Sequence, residues 1–550
     1  MCLSASNAHL PPGPLVHKLA MHCALFIAEI AELVCSHLNI TEFSPSSCRD
    51  TPSDSENVNE DRRALVALAS TCKALLEPAL DAIWKAQDSI VPWLACLPED
   101  LFNMRPALAT EEDPLLLERP FAIDDWRPSD LNAARVEILT FEYDARFQEI
   151  FKALSIAFPF GSLFPRLRSL SWTSESNCEE DFIHVRVLLT PTLLSIAVSY
   201  MPTVINCSIR STLTRSCPRL VHVSVQIPDR SHSIGLDEPS LASNSQFAQS
   251  LRRIKSLSVP TVSRAAILHI GRLPDLAFLC MDNLLGTELP YVHNGEPRTF
   301  FPALRVLHVH RLDIETAIQL IQMGSKFQME SLDFRWNEAL SRREMEEFYN
   351  LLAEFCSHTA LVNLRFGLIQ DPAIPSLEFV INTRLLQILF CFCNLTSVSL
   401  TSPYTFDIDD FTLMDAARAW PRLERLELDT LSHHPRQRHK LTLQSLYAFA
   451  LYCPRLRVLQ IQVDATETCT MACQLPQYPP PHNQLTKLYI THSDISKSAV
   501  NAIADVISTL FPDLRAVTFP CCMFDEEFQR RAELWEQVEG LLPELAGARE

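Results

Sequence analysis

Glycine is nearly missing from this chain: ten occur among 550 residues, and the closest two, Gly540 and Gly547, stand seven positions apart. A dinucleotide fingerprint needs glycines two and three apart, a phosphate-cradling P-loop needs two that are five apart, and a nucleophile elbow needs two that are four apart. None of those spacings exists. The motifs demand glycine because backbone must approach a ligand closely or turn with positive φ. No histidine is followed by glutamate, which removes the His-Glu-x-x-His metalloprotease helix as well. No two of the 18 cysteines form a Cys-x-x-Cys pair; the close ones are Cys391/Cys393, Cys469/Cys473 and Cys521/Cys522. Scattered among apolar segments, they read as free, buried thiols in a reducing compartment.

Long apolar runs are absent too. The densest, Leu385 to Leu395, is too short to span a bilayer and contains Gln387. The stretch from Met1 to Leu33 has early prolines, with Glu29 and Glu32 inside its apolar part, and makes a poor signal peptide. The expectation is a soluble protein of cytoplasm or nucleus without a membrane partner. Basic residues are the minority charge, 47 against 66 acidic, giving a net charge of −19 that repels phosphate backbones and argues against a nucleic-acid partner.

What is present is a repeat. The phrase aromatic-or-Cys, Pro, x, Leu, x, x, apolar, x, apolar recurs at Phe164-Pro165-Arg166-Leu167, Cys217-Pro218-Arg219-Leu220, Phe301-Pro302-Ala303-Leu304, Trp420-Pro421-Arg422-Leu423, Cys453-Pro454-Arg455-Leu456 and Phe511-Pro512-Asp513-Leu514. Weaker copies are anchored at Val136, Leu193, Ile254, Leu276, Met329, Leu361, Leu395 and Leu485. The anchors recur at a mean spacing of about 29 residues, close to a strand plus a helix per unit. The end of each phrase alternates apolar with polar residues, as a strand with one buried face does. Upstream, Leu446, Phe449 and Ala450, or Ile503, Val506, Ile507 and Leu510, fall on helical stripes. Proline stops each helix and pushes the residue before it toward extended backbone. One unit cannot cover its own apolar face, so units must stack into a solenoid.

The phrase resembles leucine-rich repeats, specifically the irregular ones of fungal, basidiomycete-type F-box proteins. It departs from them eight positions after the anchor, where Glu175, Pro228, Leu312, Leu431 and Asp464 replace the usual Asn or Cys; looser loops are expected there. The fold class is therefore α/β: a leucine-rich-repeat solenoid over 136–522, with parallel strands inside and helices outside. Asp525 to Leu542 reads as an amphipathic helix with Phe528, Leu534, Trp535, Val538 and Leu542 inward, so 523–550 is expected to cap the open end.

Before the repeats the pattern is helical throughout. Ile27, Ile30, Leu33, Val34 and Leu38 form one stripe, and Leu65, Leu68, Cys72 and Leu75/Leu76 a second ending before Pro78. A third starts at Pro78 toward Leu80, Ile83 and Trp84. Between the first two, 44–60 has almost nothing to bury and reads as a disordered insert. The segment division is a disordered 1–19, an all-α three-helix module over 20–97, and a connecting segment over 98–135.

Ile27-Ala28-Glu29-Ile30 resembles the opening segment of an F-box, Leu68-Ala69-Ser70-Thr71-Cys72-Lys73 its second-helix signature, and Trp84 its closing Trp; Ile90-Val91-Pro92-Trp93-Leu94 is similar to the fungal continuation. Ala28 stands where the family has proline, and the 44–60 insert splits the module. The resemblance implies docking on the Skp-type adaptor of a cullin–RING ubiquitin ligase through Ile27, Ala28, Ile30, Leu33, Leu38, Leu68, Cys72 and Trp84. Two alternatives stay open: a three-helix cap for the solenoid, and a leucine-rich scaffold without ubiquitin-ligase work.

No catalytic residue, metal ligand or cofactor is assigned. His308 and His310 share a strand face but lack a third ligand nearby. The basic stretch from His433 to Lys440 reads as a solvated loop with some capacity for an acidic segment, and Ser44 and Thr51, each before a proline, as surface positions. Strand alternation puts Ser397 and Ser399, Arg425 and Glu427, Val458 and Gln460, Lys487 and Tyr489, and Ala516 and Thr518 in two outward columns. Arg425, Glu427, Lys487 and Tyr489 are the expected contacts for an unidentified protein substrate.

Overall fold

Every anchor of the repeat is followed two residues later by a strand. The computed structural model describes residues 28–38, 55–110, 112–158, 162–174, 181–199, 203–227, 238–284, 289, 300–324, 327–369, 380–402, 406–430, 440–466, 484–514, 516–519 and 526–547. The chain divides into two compact units, Met1–Gly235 and Leu236–Glu550. In the first, β1 (Ala86–Gln87), β2 (Ile138–Tyr143), β3 (Ser169–Ser174), β4 (Ser195–Ser199) and β5 (His222–Gln226) pair in that order, all parallel.

The second unit holds β6 (Ser256–Val259), β7 (Phe278–Leu284), β8 (Val306–Leu312), β9 (Ser331–Trp336), β10 (Asn363–Leu368), β11 (Ile381–Asn382), β12 (Ser397–Ser402), β13 (Phe406–Asp407), β14 (Arg425–Thr430), β15 (Val458–Gln460), β16 (Asp464–Ala465), β17 (Lys487–Tyr489), β18 (Asp494–Ile495) and β19 (Ala516–Thr518). Here β11 pairs with β13 and β16 with β18, while the other ten form one parallel ladder in chain order. Successive helices, such as Asp410–Ala419, Gln444–Tyr452 and Val500–Leu510, pack on one another behind it. This is the solenoid the repeat implies. One repeat of the first unit replaces its helix with the 3-10 segment Asp181–Leu188.

Proline sets the corner between helix and strand. The residue before it closes the helix with its own N–H: Cys217 donates to the Leu213 carbonyl at 2.9 Å, Trp420 to Ala416 at 2.9 Å, Cys453 to Phe449 at 3.0 Å and Phe511 to Ile507 at 2.9 Å. Each then leaves helical geometry, with ψ between 62° and 76°. All four side chains are buried. Burial pushes the Cys217 thiol up to about 11 and the Cys453 thiol up to about 12, so both stay protonated and act as small hydrophobes. The described cysteines carry no disulfide.

Scarce glycine has a visible consequence where strands end. Asn283, Arg311 and His492, each seven positions after an anchor, adopt left-handed backbone with φ of 57°, 54° and 55°. Such a residue costs roughly 1 kcal/mol or more relative to ordinary backbone. The turn it makes buries the next side chain, Leu284, Leu312 or Ser493. Looser loops were expected at that eighth position. At these three sites the chain instead tucks it inward, and the Ser493 hydroxyl accepts from the Val463 N–H at 2.9 Å.

The N-terminal module differs from its sequence reading in two ways. Its helices are Ala28–His37, Ser55–Ala69 and Lys73–Lys85, so the second begins inside the stretch read as a disordered insert. Residues 39–54 and the segment 1–27 lie outside the described residues. The break between second and third helices falls at Ser70-Thr71, not at Pro78, which sits inside the third. The Ser70 and Thr71 hydroxyls donate back to the Val66 and Leu68 carbonyls at 2.9 and 2.7 Å, ending the helix there. Pro78 is tolerated because Leu75, Ala79 and Ala82 are held in buried positions on either side of it.

The segment after the module is core as well. Ile90, Trp93 and Leu94 are buried, and Trp93 stacks on Trp126 at 6.3 Å. Arg119 forks across Asp100 and Asp125, both contacts at 2.8 Å, and holds both carboxyls below their ordinary range.

At the other end, Phe528, Leu534, Trp535, Val538 and Leu542 of the helix Glu526–Gly547 are buried, and the Trp535 indole N–H donates to the Ser493 carbonyl at 3.3 Å. Trp535→Ala is expected to cost about 3–5 kcal/mol, the scale of an emptied aromatic site in a core. Urea denaturation measures it, and a loss under about 1 kcal/mol would show that this helix closes nothing.

Candidate functional site

Two surfaces have the makings of a binding site. The first is the three-helix module, whose core is Cys35, Leu65, Ala79 and Ala82, with Leu38, Leu68, Ala69 and Ile83 packed against it. Of the residues expected to meet an adaptor, Leu38 and Leu68 are therefore turned inward. Cys72 precedes the first residue of the third helix, and Ile30, Cys72 and Trp84 are half-buried. Ile27 and the side chain of Ala28 lie outside the described residues. Leu33 is 58% exposed, and it is joined by two residues the sequence reading did not select, Val66 at 54% and Leu76 at 38%. Val66 neighbours the buried Leu65 and lies off the stripe, whereas Leu76 lies on it beside the buried Leu75 and is not assigned to the adaptor.

The module is tied to the first repeats. Its last residues become β1, the Glu137 N–H donates to the Lys85 carbonyl at 2.9 Å, and Arg135 forms ion pairs with both Glu77 and Asp81. Trp84 occupies the position two before a strand, as every repeat anchor does, so it is in effect the anchor of β1.

The second surface is the outward face of the ladder in the second unit. The registers place Ser397, Arg425, Val458, Lys487 and Ala516 in one column and Ser399, Glu427, Gln460, Tyr489 and Thr518 in the next. Extended backward, the first column takes in Val306, Ser331 and Asn363, and the second His308, Asp333 and Arg365. The same anchor arithmetic, carried back to Leu361, would have supplied Asn363 and Arg365. Ser399 and Val458 are buried in spite of their outward register, since longer neighbours stand over short side chains.

Of the four expected substrate contacts, Arg425 and Glu427 are bonded to each other at 2.7 Å, and Glu427 also pairs with Arg365 at 3.6 Å. Lys487 is exposed and Tyr489 half-buried, two strands further along. Asp333 pairs with Arg335 at 3.0 Å, and His310 Nδ1 lies 3.0 Å from an Asp282 carboxylate oxygen. Burial pushes the Asp429 carboxyl above its ordinary value, although its oxygen accepts from the Thr430 N–H at 2.9 Å and the Gln460 amide at 2.8 Å. Among the described residues no cluster of three or more His, Cys, Asp or Glu is placed to hold a metal ion, and no helix is long and apolar enough to cross a membrane. The basic stretch up to His439, and Ser44 and Thr51, lie outside the described residues.

No protein-family model matches the chain, and no curated protein matches it. Among solved structures, the crystal structure of the Rad7 and Elc1 complex in yeast is similar at 13% identity and a TM-score of 0.35, over 88% of this chain and 94% of that one. At that score the likeness carries no argument about this chain.

The histidines offer a direct check of the ladder face. Burial lowers the His308 pKa from 6.5, against the opposing pull of Asp333 and with help from His310, Arg365 and Arg335. A base with a lowered folded pKa is neutral in the fold while the unfolded chain takes up the proton. Stability attributable to His308 is therefore full above pH 6.5, falls as pH drops below it, and levels off below the folded pKa. NMR titration should put the His308 midpoint below 6.5, and His308→Asn should flatten that part of the stability profile. A midpoint at or above 6.5 would mean the ladder face is more open to water than described.

Proposed function

We propose that this chain is the substrate-recognition subunit of a Skp-cullin-F-box type ubiquitin ligase, its N-terminal module docking the adaptor and its ladder face holding a protein substrate. The observation that carries the reading is the apolar exposure of the module: Leu33, Val66 and Leu76, one on each helix, stand in solvent while their neighbours fill the core. Single exposed leucines are ordinary, but a small module placing one large apolar side chain on each of its helices offers anchors for a partner groove. The motif resemblance at Glu29-Ile30, at Leu68 to Lys73 and at Trp84 supports the same partner. Pairing of β1 with β2 gives the docked adaptor a fixed orientation toward the first repeats. The reading assigns the chain no catalytic residue or cofactor and places it in cytoplasm or nucleus; the chemistry belongs to the ligase.

Calorimetry with a purified Skp-type adaptor tests it. The full chain should bind at micromolar concentration or tighter, and Leu33→Asp should weaken binding about tenfold or more, the loss of one apolar anchor, with the melting temperature unchanged. A folded wild-type chain that fails to bind leaves the scaffold alternative in its place.

A further inference from the structure

On the outward face of the second unit two guanidinium groups share one carboxylate, while the neighbouring Asp333 is taken by Arg335 and Asp429 by the Gln460 amide. Arg365 on β10 and Arg425 on β14 both converge on a single carboxylate, that of Glu427, at 3.6 and 2.7 Å. Two guanidinium groups and one carboxylate leave one formal positive charge. Each guanidinium has five N–H donors, and no other acceptor is bonded to these two among the described residues. The carboxylate lies low, with a side chain 15% exposed, whereas the arginines stand above it at 47% and 50%. A partner approaching this face meets cation first.

The intervening strand makes the convergence possible. Ser399 of β12 sits between Arg365 and Glu427 in the ladder register, so Arg365 must reach across it. That span is about 10 Å, two strand spacings, and only a short side chain leaves it open. Ser397 lies between Asn363 and Arg425 in the next column. Neither serine hydroxyl has a hydrogen bond among the described residues; Ser397 is half-buried and Ser399 is buried. Lys487, exposed and two strands from Arg425, adds a third cation, one with no ion pair among the described residues.

We propose that the arch formed by Arg365, Glu427 and Arg425 over Ser397 and Ser399 binds an oxyanion, a carboxylate or a phosphoryl group, carried on an acidic segment of a protein partner. A second oxyanion completes the charge that Glu427 half-neutralises, by bidentate guanidinium hydrogen bonds of the kind arginine forms best. Resting on the receptor reading above, this names its substrate class. The rest of the chain, at a net −19, repels anions in general. Selection therefore favours a short acidic patch in an otherwise neutral or basic stretch over a uniformly acidic one.

The test uses fluorescence anisotropy with the full chain and three short labelled peptides that share one neutral background and differ at two positions: glutamate, phosphoserine or glutamine. The glutamate or the phosphoserine peptide should bind about tenfold or more tightly than the glutamine one, and whichever binds better identifies the oxyanion. Substituting both arginines, Arg365→Ala and Arg425→Ala, should remove that preference. Glu427→Gln should tighten binding several-fold because it deletes the competing carboxylate. A purely structural Glu427 would instead give weaker or unchanged binding, which overturns the proposal, as does equal binding of all three peptides. Inorganic phosphate that displaces the peptides at micromolar concentration would also overturn it, since the site would then hold a free anion and no segment. Adaptor affinity of the same preparations is measured separately: its loss with peptide preference intact refutes the receptor reading alone, and the converse refutes this site alone.

Discussion

One backbone oxygen per repeat holds the ladder in register. Within each unit the carbonyl of the residue after an anchor accepts two N–H groups from the next repeat, those of the residues one and two past its anchor, wherever both are among the described residues. Glu137 accepts from Arg168 and Ser169, Arg305 from Glu330 and Ser331, Thr396 from Glu424 and Arg425, and Arg457 from Thr486 and Lys487, all between 2.7 and 3.1 Å. The acceptor sits at a fixed distance from a buried anchor, so anchor position and strand pairing cannot slip independently. A slip of one residue would turn every side chain to the other face. Thirteen of the fourteen anchors are buried and Leu514 is half-buried, each contributing roughly 1.5–3 kcal/mol against such a slip.

That coupling explains why so much of the fold was legible. The anchors, read from a Pro-x-Leu phrase and its spacing, each start a strand two residues on, and the outward columns follow from alternation alone. What escaped was whatever lacks the phrase. Trp84 behaves as an anchor for β1 without the phrase's proline two positions before it or leucine in its own place, so the module and the repeats read as separate grammars when they share a strand pair. Pro78 read as a helix boundary because proline ends most helices. Tertiary burial of Leu75 and Ala79 around it overrides that preference, and two hydroxyls at Ser70 and Thr71 supply the real stop. The helix from Ser55 was invisible for a related reason. Its first six residues, Ser-Glu-Asn-Val-Asn-Glu, carry a single apolar side chain and no proline, so neither a hydrophobic stripe nor a proline boundary marks the start.

The scarcity of glycine operates in two places at once. It removes the backbone motifs of nucleotide and acyl-transfer enzymes, and it leaves left-handed turns to residues that tolerate them less well. Asparagine at 283 and histidine at 492 are familiar substitutes; Arg311 is not. The return on that strain is burial, since the turn at Arg311 brings Leu312 opposite both Leu284 and Trp336 in the ladder. The register shift between His310 and Leu312 is the backbone trace of the same event. Such turns keep the eighth-position side chain inside without the asparagine usual in leucine-rich repeats.

The two units differ in what their ladders show to solvent. In the first, the residues paired across β2 to β5 include Thr140, Ser171, Ala197 and Ser224, a column of short side chains with no charge. In the second, the corresponding positions include Asp333, Arg365 and Glu427. Ladder geometry is common to both, so the contrast comes from side-chain choice on the outward face. Strand positions facing water tolerate almost any polar residue, and alternating charge on neighbouring strands earns little stability when exposed. The arginine pair over one carboxylate is poorly accounted for as stabilisation, because it crowds two like charges on Glu427 while the neighbouring Asp333 is paired with Arg335. An arrangement that is electrostatically incomplete by itself is completed by a partner of opposite sign, and the ladder holds its members at strand spacing before any partner arrives.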